Sequence, residues 1–213
     1  RRGYEAIVLA ADLGADVINL SWGGQIPFSQ TLQDIIDYAV LDQDAVVVAA
    51  AGNTGTEARF FPASFDQVLS VGATNDDDTK ADFSSFGRYI DIMAPGRDIY
   101  STVAGGGYGN VGGTSFAAPM VAATAALLRS AEPELSAVEV MERIRSSADD
   151  IYSVGNNSNF RYQLGKGRLN MEAALRNTQS PSIRLQQLDF NSSFGNLVFS
   201  NDTVSLNQGF VIL

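Results

Sequence analysis

Gly112-Gly113-Thr114-Ser115-Phe116-Ala117-Ala118-Pro119-Met120-Val121-Ala122 is the stretch on which the reading of this chain turns. Two glycines and two hydroxylated residues give way to small apolar ones, a pattern that swings a loop tightly into a buried helix with Ser115 in its first turn. The unpaired amides of a helix N-terminus favour negative charge, so an oxyanion forming beside Ser115 would meet a field already arranged for it. Gly112 and Gly113 let the backbone approach a bound substrate with no side chain in between. Taken alone, Gly113-Thr114-Ser115 reads as a plain helix cap. The alanines that follow, through Ala125 and Ala126, allow the helix to pack closely on a sheet, and Pro119 falls in its first turns, where no intrahelical amide bond is lost.

Val46-Val47-Val48-Ala49-Ala50-Ala51-Gly52-Asn53 reads as a fully buried strand that runs out through small residues to a carboxamide. On its own, Gly52-Asn53 is a turn signal. In this order and at this distance, the two stretches resemble the oxyanion and nucleophile segments of the subtilisin-like serine proteases. The resemblance covers roughly residues 4–176. It implies a three-layer α/β fold with a mainly parallel central sheet, Ser115 as nucleophile and Asn53 as side-chain donor to the oxyanion. Ser21-Trp22-Gly23-Gly24 resembles the wall of the family's substrate cleft, where a peptide pairs with exposed backbone as an added strand. Trp22 also reads as an ordinary core or rim aromatic. Ala50, Ala51, Gly52 and Thr114 join the substrate-binding set on the same resemblance.

Phe60-Phe61-Pro62-Ala63-Ser64 matches a family segment that carries a proline, often in a cis peptide. Aligned on Pro62, Phe60 falls at the base of the family's main specificity pocket, commonly a small residue. A phenylalanine there makes the pocket shallow, suited to small or medium apolar side chains, unless its ring turns into the core.

The chain contains no histidine. A subtilisin-type triad needs an imidazole to take the serine proton and an aspartate to orient it, and in the family both precede the serine. The expectation is therefore a catalytic domain lacking its N-terminal portion, with those residues ahead of Arg1, and a chain that by itself hydrolyses nothing. The opening Arg1-Arg2-Gly3-Tyr4-Glu5 starts inside a helical pattern, which agrees with a piece of something longer. The resemblance implies a secreted or cell-surface serine endopeptidase acting on peptides or proteins, with its own missing segment as a partner. A catalytically dead relative, kept as a peptide-binding or scaffold module, is the alternative. An α/β-hydrolase esterase would need Gly-x-Ser-x-Gly, and Phe116-Ala117 stands where x-Gly is required.

Composition sets the outer bounds. The 213 residues are 45% hydrophobic, enough for one sizeable core. A net charge of -10 argues against a nucleic-acid partner, and no segment has the length of a membrane span. With no cysteine there are neither disulfides nor thiolate metal sites.

Between the motifs, the periodicity predicts a helix over residues 4–13 ended by Gly14, a strand over residues 16–21 and an amphipathic helix over residues 31–41. Strands over residues 68–74 and 98–102 follow. Residues 105–110 read as a mobile glycine-rich loop. Asn75-Asp76-Asp77-Asp78-Thr79-Lys80 is an acidic loop, open to a calcium reading as well as to a solvated turn, and Asp91 lies near a cation position of some relatives whose neighbouring acid is absent here. No cofactor is required; a structural calcium or monovalent cation is allowed. Ser136 with Glu139 predicts a capping box. The peptidase portion is expected over residues 1–177. Residues 178–213, a Gln-Ser-Pro-Ser linker and then short alternating runs, suggest two or three strands, a β-rich tail that either packs on the peptidase body or begins a further domain.

Overall fold

The structure is a computed structural model that describes residues 2–176. The expected tail strands lie outside the described residues. Helix α1 (Arg2–Asp12) buries Tyr4, Ile7 and Ala11 on one face. Gly14 ends it in the left-handed region, with the Gly14 and Ala15 amides closing back on Ala11 and Ala10. Strand β1 (Val17–Leu20) follows, its Ile18 and Leu20 buried and Asn19 exposed.

Helix α2 (Gln30–Asp37) widens into a π turn at Tyr38–Asp42, and buries Ile36, Ala39 and Val40 as the periodicity predicts. Gln33, polar in sequence, is buried too. Its amide donates to Asp37 and to the Asp66 carbonyl while its oxygen accepts the Asp66 amide, tying the helix to the segment that leads into Leu69.

Strands β2 (Val46–Ala50) and β3 (Leu69–Thr74) are buried along their whole length, and β4 (Ile92–Pro95) nearly so. The four strands lie in chain order, all parallel, with Leu20 opposite Ala49 and Ala50 opposite Val71. Continuous Val, Ile and Ala runs are what a sheet covered on both faces requires. Helices α3 (Thr114–Ala131), α4 (Ala137–Ser146) and α5 (Met171–Arg176) complete a three-layer α/β fold. Helix α3 packs across all four strands through Ala117, Ala118, Val121, Ala122, Ala125 and Leu128. It is not covered all round by the described residues: Pro119, Ala123 and Leu127 remain exposed. The capping box at α4 forms as predicted, with the Ser136 amide donating to Glu139 at 2.9 Å.

Two sequence expectations are corrected. Residues 108–110, expected as part of a mobile loop, belong to β6 (Tyr108–Val111), antiparallel to β5 (Ile99–Thr102), so the glycine run is only the tip of a hairpin. Lys80, placed in a surface loop, is buried. Its ammonium donates to the carbonyls of Ala81 (2.9 Å) and Ser84 (3.1 Å) and lies about 5 Å from the Phe86 and Phe160 rings. Burial among carbonyls and rings pushes its pKa down.

The acidic segments do not gather oxygens around a common point. Asp77 accepts from Thr79, Asp78 pairs with Arg168, and the two carboxylate oxygens of Asp91 accept from Arg145 and the Ser70 amide. The Arg145 guanidinium pairs with Asp91 at 3.1 Å.

Candidate active site

The carboxyl ends of β1 and β2 open side by side, and the first turn of α3 is laid across them. In parallel α/β sheets ligands gather at such strand ends. Ser115 sits at that first turn, half-buried, and two reciprocal hydrogen bonds fasten it to the end of β1. The Ser115 hydroxyl donates to the Ser21 carbonyl at 3.1 Å, and the Ser21 hydroxyl donates to the Ser115 carbonyl at 2.9 Å. Asn19 steadies this clamp by donating to the Ser21 hydroxyl at 3.0 Å.

Asn53 comes from the other strand. The Thr114 amide and hydroxyl both donate to its Oδ1, at 2.9 and 3.0 Å. A backbone N–H can only donate, so the atom facing it must be the carboxamide oxygen, and the NH2 group is left pointing away. That nitrogen has no hydrogen-bond partner among the described residues, and it lies 3.2 Å from where a β-carbon on Gly113 would be. Gly113 has φ +148°, so a side chain there would be strained as well as crowded.

Chemically, this corner offers a hydroxyl, a free carboxamide N–H pair and a helix N-terminus around one open depression of about 360 Å³. Such a set can receive a carbonyl carbon at the hydroxyl and stabilise the oxygen that becomes negative. Behind it the Tyr89 hydroxyl donates to the Ala58 carbonyl at 3.0 Å, bracing the loop that leads to Phe60. Burial pushes the Tyr89 phenol up to about 12.

Of the residues expected in the cleft, Trp22, Gly23, Ala50, Gly52, Asn53, Phe60, Thr114 and Ser115 line this depression. Trp22 belongs to both readings made of it. It is 38% exposed at the rim, and its ring stands edge-on against Tyr4 at 5.3 Å. Gly23 is exposed and its backbone groups have no partner among the described residues, so it can pair with an extended peptide.

Three expectations change. Ala51 is fully buried in a second small core with Ile90, Met93, Ile151 and Leu164, because strand alternation turns it away from the cleft. Gly24 has both backbone groups paired with Phe61 at 2.9 Å, leaving none for a substrate. Thr114 is also fully buried, and its hydroxyl accepts the Gly52 amide while holding Asn53, so it positions the donor. Ser85 had no signal in the sequence. It supports the same loop, donating its amide to the Gly52 carbonyl and holding Thr54 through its hydroxyl at 3.0 Å. Phe61–Pro62 is a cis peptide.

The peptidase S8 model, described as the subtilase family, matches residues 3–178. A thermophilic serine proteinase of Bacillus sp. (strain AK1) is 43% identical over 166 residues, 78% of this chain and 39% of its own. Subtilisin DY of Bacillus licheniformis is 41% identical over 80% of this chain and 62% of its own length, and thermitase of Thermoactinomyces vulgaris 40% over 79% and 57%. Among solved structures, the prenylagaramide maturation protease PagA superposes with TM-score 0.71 at 32% identity, over 81% of this chain and 65% of PagA. Proteases from Pseudoalteromonas arctica give 0.72 at 29% identity, over 81% and 57%. The chain therefore spans less than two thirds of the length of each of these relatives, from 39% to 65%.

Proposed function

The chain belongs to the subtilase family, and from that premise we propose that it forms the nucleophile-bearing part of a serine endopeptidase. The observation that carries the reading is the lock of Thr114 on the Asn53 oxygen, which leaves an unpaired N–H pair beside the Ser115 hydroxyl. The substrate is a peptide or protein, laid along Gly23. Ser115 Oγ bonds to the scissile carbonyl carbon, and its proton passes to a base. The oxygen, now negative, is held by Asn53 and the Ser115 amide. Collapse breaks the C–N bond, the amine leaves with the proton, and water releases the acyl group by the same route.

This chain has no histidine, so the base must come from outside these 213 residues. Here the serine proton is directed at the Ser21 carbonyl, which is far too weak a base to remove it. Without an imidazole, Ser115 stays an ordinary alcohol and the 213-residue chain hydrolyses no peptide. Export of the parent protein belongs to the same proposal and rests on family resemblance. Among the described residues no helix is long and apolar enough to cross a membrane.

The test compares two proteins on a fluorogenic peptide: the 213-residue chain, and the product of the whole reading frame. Hydrolysis by the second that disappears in Ser115→Ala, and none by the first, is the expected result. Turnover by the 213-residue chain that a serine inhibitor blocks defeats the first half. A whole-frame product that binds peptides without cleaving them establishes the scaffold alternative instead.

A further inference from the structure

Three arginines from separate stretches of the chain meet at a cavity of about 570 Å³ that shares no lining residue with the cleft. Arg59 ends the polar loop before Phe60, Arg88 stands in the turn that leads into β4, and Arg145 lies in the last turn of α4. The first two segments are fixed to each other. The Tyr89 hydroxyl donates to the Ala58 carbonyl at 3.0 Å, and each of these residues is the immediate neighbour of one arginine. Like charges brought together in this way repel unless something neutralises them.

The carboxylates at hand do so only in part. Arg145 is paired twice, its Nη1 with Asp91 at 3.1 Å and its Nε with Glu142 at 3.0 Å, which holds the guanidinium in place and leaves Nη2 over. The second Asp91 oxygen is taken by the Ser70 amide. Arg59 and Arg88 are exposed and have no hydrogen bond or ion pair among the described residues. Asp66 lines the same cavity and Glu57 packs beside Gly87, yet neither forms an ion pair with them. Two unpaired cations and a spare guanidinium edge thus line one space, in a chain whose formal net charge is -10.

We infer that this cavity is a binding site for a dianionic oxyanion of the phosphate class, held by the guanidiniums of Arg59 and Arg88 and the spare edge of Arg145. Two full positive charges match a dianion, and planar guanidinium forks pair bidentately with the several oxygens of a tetrahedral anion. The bound ion ties the loop before Phe60 and the turn before β4 to helix α4, so it stabilises the fold by mass action. The group recognised is the phosphoryl, free or carried by a small solute. The site is independent of the proposed catalysis.

The test uses the whole-frame protein carrying Ser115→Ala, so that no self-digestion intrudes. Inorganic phosphate and O-phosphoserine are titrated in turn at constant ionic strength, and binding is followed by broadening of the ligand's phosphorus NMR resonance. Phosphate is expected to saturate at about 1 mM, the strength of a few charge-assisted contacts open to water. Tighter binding of phosphoserine assigns the site to a carried phosphoryl group, and tighter binding of phosphate to the free ion; both support the inference. Arg59→Gln together with Arg88→Gln should weaken either ligand at least about tenfold. If that double variant melts early, Arg88→Lys takes its place, keeping the charge but losing the fork, and weakens binding about threefold. Affinity unchanged by these substitutions overturns the inference, as does a titration that never saturates. A melting temperature raised by calcium in a protein that binds neither phosphate nor phosphoserine makes the cavity a cation site and overturns it too.

Discussion

Asn53 and Asn157 stand at two corners of this fold, and their hydrogen bonding separates them. Asn157 is fully buried and spends every bond it has: its oxygen accepts the Lys80 amide at 2.8 Å, and its NH2 group donates to the carbonyls of Asp78 and Ile151. Asn53 is exposed, with its oxygen fixed by Thr114 and its NH2 group left over. A saturated, buried carboxamide is an internal staple, since breaking it strands polar atoms away from water. A carboxamide with one end locked and the other free is a preorganised donor, oriented at no cost to itself when a charge arrives.

The contrast can be broken by exchanging the kinds of damage. Asn53→Ala in the whole-frame protein should lower kcat by about 10²–10³ with little change in KM, a magnitude that comes from the subtilisins themselves. Its melting temperature should fall by less than that of Asn157→Ala, because the lost side chain is exposed, although the Thr114 amide and hydroxyl lose their acceptor. Steady-state kinetics and a thermal melt on the same preparation check both halves. A variant that melts early with kcat intact would make Asn53 a staple after all.

Asn157→Ala should do the reverse. Three hydrogen bonds disappear, two of them buried, and the Lys80 amide is left without its partner, at a cost of roughly 2–4 kcal/mol of stability. Denaturant unfolding measures this. Below the transition, kcat per folded molecule should stay within about twofold, since Asn157 touches nothing in the cleft.

A smaller effect sharpens the comparison, because Tyr89 braces the loop on the Asn53 side. Its phenol keeps its proton up to about pH 12 in the fold, against 10 when exposed, with burial as the leading cause. The folded state therefore binds the extra proton between those two values, and stability falls as pH climbs through them. Unfolding curves at pH 9, 10.5 and 11.5 should show a decline that is shallower in Tyr89→Phe. Equal slopes in both proteins would mean the other tyrosines carry the alkaline loss.

How much of this could be read from residues alone depends on whether the signal was local. The segments around Ser115 and Asn53, the buried strands and the Ser136–Glu139 cap were legible, because periodicity and capping chemistry act over a few residues. Ala51 and Thr114 fall at places where an element ends, and which way a side chain turns there is set by the neighbouring layer. Gly24 loses its free backbone to Phe61, a partner from a distant loop, which no short window contains. Lys80 follows three aspartates and reads as solvated, yet the carbonyls and rings that enclose it come from turns further along. The β5–β6 hairpin was hidden by its composition, as glycine and asparagine give no alternation to recognise.

The strands of the sheet are laid down in chain order, each against the one before. A nascent polypeptide can therefore assemble the sheet progressively while its remainder is still being made, but the Asn53 side chain stays unanchored until residue 114 emerges and docks. The oxyanion donor is thus set only after the four strands are made, by the same helix that covers the sheet.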